Sequence, residues 1–163
     1  MRRSPRSEVK VVLLQAMTCA RLAGSETVEA EHVLLALASH PGTVAHVVLT
    51  HAGLDADGVT NALAIEQAAS LAAVGVTGLA APMPAYVPDA RQLGESTRLA
   101  ITRAAAAAKA RKERRLRSAH LLIGVLSADV GRVPRALAYA GIDRGRLLAE
   151  AHAALDTLLR RAS

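Results

Sequence analysis

EHVLLAL at Glu31–Leu37 and AHLLIGV at Ala119–Val125 are two copies of one phrase. A second pair follows each copy at the same distance: LTHAGLD at Leu49–Asp55 and LAYAGID at Leu137–Asp143. His32 to His120 is 88 positions, and Gly53 to Gly141 is also 88. Leu34/Leu122, Leu49/Leu137, Ala52/Ala140 and Asp55/Asp143 keep that offset, as do Ala16/Ala104 and Ala20/Ala108 upstream. An ordered set of matches without a gap is the signature of an internal repeat.

Each copy reads as four helices. In the first, residues from about Glu8 to Ala23 place Val9, Leu13, Ala16 and Ala20 on one face, and Gly24 stops the helix. A second helix covers Ala30–Ser39, and Pro41-Gly42 makes a turn. A third covers Thr43–Ala52 and ends at Gly53; Asp55 caps a fourth that runs to about Leu71. The second copy repeats the plan. Ser96 and Ser118 suit the caps of its first two helices, Pro134 the first turn of the third, and Asp143 the cap of the last. Strand-like alternation is absent.

The expectation is therefore an all-α fold, two pseudo-symmetric four-helix repeats packed as one eight-helix bundle. The predicted divisions are a basic tail at 1–7, a first repeat at 8–74, a Pro/Gly-containing linker at 75–95 and a second repeat at 96–163. Each unit alone exposes an apolar stripe, and docking the two removes it from water at about 25 cal/mol per Å².

Composition agrees and excludes alternatives. The chain has 163 residues, 52% of them hydrophobic and 21% charged, which excludes wholesale disorder. One cysteine, Cys19, excludes an internal disulfide framework. Its repeat mate is Ala107, which favours a packed thiol over a nucleophile. With two Tyr and no Phe or Trp, the core must be aliphatic, and stacking platforms for single-stranded nucleic acid are missing. No uncharged apolar run reaches the roughly 18 residues of a membrane span. The early stretch VVLLQAMTCA is broken by Gln15 and reads as amphipathic helix rather than signal peptide. A cytoplasmic protein without a membrane partner is expected.

The duplicated pattern resembles the N-terminal double repeat of Clp ATPases, the Clp N or Clp R domain, from about Glu8 to Leu159. That resemblance implies a pseudo-twofold helical domain that docks adaptors and substrates for an unfoldase–protease machine. No G-x-x-x-x-G-K-[ST] phosphate loop occurs in the 163 residues, so no ATPase, enzyme activity or cofactor is expected. The reading is a stand-alone domain of this type, or a fragment, that binds clients, adaptors or Clp subunits, as a regulator or decoy without its own motor. In some Clp N domains the glutamate before the helix-two histidine recognises phosphorylated arginine. Glu31 matches that position, while its mate Ala119 removes the anchor from the second repeat. A carboxylate suits paired hydrogen bonds from a guanidinium. The threonine that the family has at the start of helix one is replaced by Arg6 or the adjacent Ser7, and near Gly94 in the second repeat. Glu31, Arg6 and Ser7 are thus the candidate peptide or phosphoarginine site. Glu31 equally suits a first-turn acid stabilised by the helix dipole.

Charge is uneven. Residues 1–88 hold five basic and seven acidic side chains; residues 89–163 hold fifteen and seven. Six cations (Lys109, Arg111, Lys112, Arg114, Arg115 and Arg117) lie in the run KARKERRLR. The alternative function is therefore a small basic nucleic-acid-binding protein using that run. Against it, the run suits a solvated helix end, and no reading helix is recognisable. The six histidines form no metal-ligand set; His32 and His120 read as hydrogen-bonded structural residues near helix starts.

Overall fold

In the computed structural model, which describes residues 5–77 and 89–162, the duplicated phrases form the two most deeply buried helices. The described residues contain eight helices: α1 Pro5–Leu22, α2 Ala30–Ala38, α3 Val44–His51, α4 Ala56–Ala73, α5 Glu95–Ala110, α6 Ser118–Leu126, α7 Arg132–Tyr139 and α8 Arg144–Ala162. The all-α expectation holds. It is supplemented by one short parallel bridge, β1 Thr27–Val28 against β2 Gln92–Leu93. The bridge uses the last residues of the expected linker, most of which, 78–88, lies outside the described residues together with 1–4 and 163.

Local chemistry sets most boundaries. Gly24, Gly53 and Gly141, at φ of 72°, 76° and 72°, supply the left-handed turn after α1, α3 and α7. Asp55 accepts from the Gly58 N–H at 2.8 Å, and Asp143 from the Arg146 N–H at 3.0 Å, so both aspartates cap as expected. α1 starts earlier than the sequence suggests, with Pro5 at the first helical position, where its missing N–H costs nothing.

The serine caps are a correction. α5 is capped by Gly94 and α6 by Arg117, which leaves Ser96 and Ser118 inside the first turns. Ser96 instead serves the other repeat: its Oγ accepts from the Ala30 N–H at 2.8 Å. In the mate position, Glu8 Oε1 accepts from the Ser118 N–H at 3.2 Å. The sequence pointed to local capping; the helices sit so close that the acceptor arrives across the repeats.

Packing follows the same exchange of residue n with n+88. α1 packs on α2 and α5 on α6; across the repeats α3 meets α8 and α4 meets α7, while α1 touches α6 and α5 touches α2. The two halves therefore interlock. Their shared core is aliphatic, centred on Leu34, Leu37, Leu49, Leu121, Leu122, Leu126 and Leu137, all essentially without exposure. Gly124 marks the tightest crossing, because a β-carbon there would run into the Ala100 carbonyl of α5.

Two substitutions test this core. Leu34→Ala is expected to destabilise the domain by about 2–5 kcal/mol through the cavity it leaves. Gly124→Ala is expected to cost about 1–3 kcal/mol by overpacking the α5–α6 crossing. Urea unfolding followed by far-UV circular dichroism measures both.

Candidate functional site

The N-terminus of α2 is built by four side chains from two repeats. Burying this helix strands its first amide groups away from water, so each needs an acceptor. Ser96 takes the Ala30 N–H and donates to Glu29, whose other oxygen accepts from Thr27 Oγ1 at 2.8 Å. Burial works to raise the Glu29 pKa, but these hydrogen bonds outweigh it and hold the carboxyl below its ordinary value. His32 Nδ1 accepts the Glu29 N–H at 2.9 Å, closing the turn.

The second repeat copies the histidine. His120 Nδ1 accepts the Arg117 N–H at 3.0 Å, and its Nε2 lies 3.1 Å from Glu113 Oε1. A ring nitrogen that accepts from a backbone N–H carries no proton, so each imidazole is held neutral with its proton on Nε2. Burial also lowers both pKa values, against the pull of Glu31 on His32 and of Glu113 on His120. Both histidines are structural, as their matching positions suggested.

Glu31 stands one residue along, its side chain 12% exposed. It lines a cleft of about 110 Å³ between α2, α5 and the start of α7, along with Ser96, Arg103, Asp129 and Arg132. The carboxylate already faces a guanidinium, since Arg132 Nη1 lies 3.5 Å away. Arg132 also donates to Glu66 Oε2 at 2.9 Å, and Arg135 to Glu66 Oε1 at 3.0 Å. Glu66 is buried, its side chain only 3% exposed, and Ser70 Oγ donates to it at 2.7 Å. Burial pushes the Glu66 pKa up, but the hydrogen bonds from Ser70, Arg135 and Arg132 reverse this and hold it below the ordinary value. This cluster fastens α4 to α7 and supports Glu31 from behind. The candidate readings missed Arg132, Arg135 and Glu66. A signal existed: where the first cleft has Glu31 and Arg132, the 88-residue offset gives Ala119 and Val44.

The equivalent cleft of the second repeat, about 140 Å³, is lined by Glu8, Thr43, Val44, Ser118 and Ala119. Ala119 carries no carboxylate, so the two clefts differ in chemistry. Arg6 and Ser7 lie in the first turn of α1, and their side chains fall outside the described residues.

The basic run is the turn between α5 and α6. Arg111 pairs with Asp156 and lies 3.0 Å from His152 Nδ1, while Arg117 faces Glu113 at 3.6 Å. Lys109, Lys112, Arg114 and Arg115 are exposed. Cys19 is buried in α1, and burial pushes its thiol pKa up, the opposite of an activated nucleophile. Among the described residues no three His, Cys, Asp or Glu are placed to hold a metal, and no helix is long and apolar enough to cross a membrane.

Comparison with known families matches the Clp repeat (R) N-terminal domain to residues 6–83 and 92–162. Among solved structures, the N-terminal domain of the caseinolytic protease associated chaperone ClpD from Arabidopsis thaliana is 18% identical, with a TM-score of 0.61 over 91% of this chain and 94% of that one. A structure from an investigation of a malarial protein secretion system is 17% identical, with a TM-score of 0.55 over 86% and 87% of the two chains. These likenesses concern the fold. No curated protein matches the chain.

Two steps are expected in stability against pH. The buried histidines bind protons more weakly folded than unfolded, so stability falls as pH drops below about 6.5. Glu66 binds its proton more weakly as well; its contribution is complete above about 4.3 and lost as pH falls through the lower folded value. Urea midpoints measured from pH 8 to 3 should show both declines, and Glu66→Gln should diminish only the second.

Proposed function

The chain belongs to the Clp repeat (R) N-terminal domain family, the protein-interaction module of Clp chaperones, and on that premise we propose that it binds substrates, adaptors or subunits of a Clp chaperone–protease system. The duplicated fold carries this reading: two interlocked repeats present clefts at the N-termini of α2 and α6. The 163 residues hold no nucleotide-binding phosphate loop, so recognition is what this domain contributes. It acts in the cytoplasm as a regulator, by delivering clients or by competing for them.

The finer assignment is a phosphoarginine site at Glu31. Its cleft combines anionic and cationic groups, Glu31 and Asp129 with Arg103 and Arg132. A phosphoarginine side chain is itself a guanidinium joined to a phosphate. Glu31 would take the guanidinium in paired charge-assisted hydrogen bonds while the arginines neutralise the phosphate. A client guanidinium competes there with Arg132, whose other contacts to Glu66 and Gln67 keep it satisfied when Glu31 is released. Ala119 leaves the second cleft without this anchor, so one site per chain is expected.

Titration of a fluorescent phosphoarginine peptide tests the assignment. Wild type should bind with a stoichiometry of one. Glu31→Ala should lose about 30-fold or more in affinity, in line with removing one partner of a buried charged pair. Its circular dichroism spectrum should be unchanged. Equal affinity in the variant and wild type would refute the site.

A further inference from the structure

The repeats are alike in sequence phrases but not in how their outer faces are closed. On one face, α4 and α7 are joined by Glu66, Arg132 and Arg135. On the equivalent face, α3 and α8, the residues at the same offset are Ala154, Val44 and Val47. Short apolar side chains stand there in place of the long ionic ones. What they leave between α3 and α8 is an open groove of about 790 Å³, the size of a ligand or peptide site. Val47 in this groove is 48% exposed, a large apolar surface with nothing over it among the described residues.

The groove has direction. Its α8 wall runs from Glu150 to Arg161. The twelve residues from 150 to 161 make that wall roughly 16 Å long, enough to lay about three turns of a helix against it. At one end Glu150 is neutralised by Arg146 at 3.1 Å. At the other end Arg161 is exposed and has no carboxylate partner among the described residues. Beyond Leu158 the groove borders the second cleft, where Glu8 is engaged by the Ser118 N–H and Arg117 by Glu113, so Arg161 is the charge this end offers, and an apolar occupant with a carboxylate there complements it in both shape and charge.

We propose that the α3–α8 groove is a second docking surface, which receives an amphipathic helix of a partner protein through aliphatic side chains one turn apart, with an acidic residue meeting Arg161. This is helix-in-groove recognition. It rests on the protein-interaction reading above but not on the phosphoarginine site, from which it shares no residue. The chain itself provides the model for closure: Arg132 and Arg135 on Glu66 are what this face would need in order to shut.

The probe is a fluorescein-labelled 14-residue peptide, helix-stabilised, with Leu at positions i, i+4 and i+7 and Glu one turn beyond. It is compared with a twin carrying Lys for Glu and a twin carrying Ser for Leu. Wild type should bind the first peptide, with about tenfold weaker affinity for the Lys twin and no detectable binding of the Ser twin. Arg161→Glu should reverse the preference between the Glu and Lys peptides. The double variant Val47→Arg/Ala154→Glu, which copies the Arg135–Glu66 pair into the groove, should remain folded by circular dichroism and lose binding. The milder Val47→Ser should weaken it in the same direction if the double variant does not fold.

Binding that survives both groove variants would overturn the proposal. So would an equal response to the Ser twin, or concentration-dependent dimerisation by sedimentation that Val47→Ser abolishes, which would assign the groove to a second copy of this chain. Phosphoarginine binding lost in Glu31→Ala, with no amphipathic peptide bound, would sink the groove alone. Binding of neither probe would count against the docking-module reading itself.

Discussion

A helix that is buried over its whole length must still find acceptors for its first amide groups, and in this protein those acceptors come from the opposite repeat. Ser96 takes the Ala30 N–H of α2, and Glu8 takes the Ser118 N–H of α6. Neither central helix satisfies its N-terminus from its own repeat alone. Leaving such a buried donor unpaired costs about 1–3 kcal/mol, so the pairing of the halves is a polar requirement as well as an apolar one. It also fixes where the two clefts fall, because each lies where a central helix start meets the other repeat's first helix and the turn before its third. Gly94 belongs to the same device: a β-carbon there would run into the Glu29 carboxylate, which needs that space to accept from Ser96.

The two repeats present clefts at equivalent places, and the clefts differ in chemistry. The first cleft has Glu31 at the helix start, facing Arg132; the second has Ala119 there, and its carboxylate is Glu8 from α1, which accepts from the Ser118 N–H. The faces beyond the clefts parted in the same way, one drawn shut by Glu66 with Arg132 and Arg135, the other left as an apolar groove. A symmetric fold under no symmetric functional demand is free to keep its core phrases, which both halves need for packing, while its outer positions drift apart in chemistry. The core residues that match at the 88-residue offset, such as Leu34 and Leu122 or Leu49 and Leu137, are all buried. Of the positions that differ, Arg135 and Val47 are exposed, whereas Glu66, matched by Ala154, is a buried ionic anchor.

The strong positive charge of the second half is partly absorbed inside the fold. Arg132, Arg144, Arg111 and Arg117 each face a carboxylate of the chain. Glu113, the one acid within the basic run, points inward to His120. The run is therefore a structural turn with an exposed cationic rim of Lys109, Lys112, Arg114 and Arg115, rather than a helix face organised to read a groove.

The sequence by itself determined the duplication, the helical class, most helix ends and the structural role of His32 and His120, because these depend on spacing, on glycine and on short-range capping that neighbours along the chain decide. It also identified Glu31 as a position of interest. The tertiary structure alone decided what Glu31 faces, why Ser96 and Ser118 do not cap their own helices, and that Glu66 is a buried ionic anchor. Each of those joins residues 66 to 110 positions apart. Such pairings are set by how two helical units dock, and the pattern of one helix carries no record of which side chain arrives from the other.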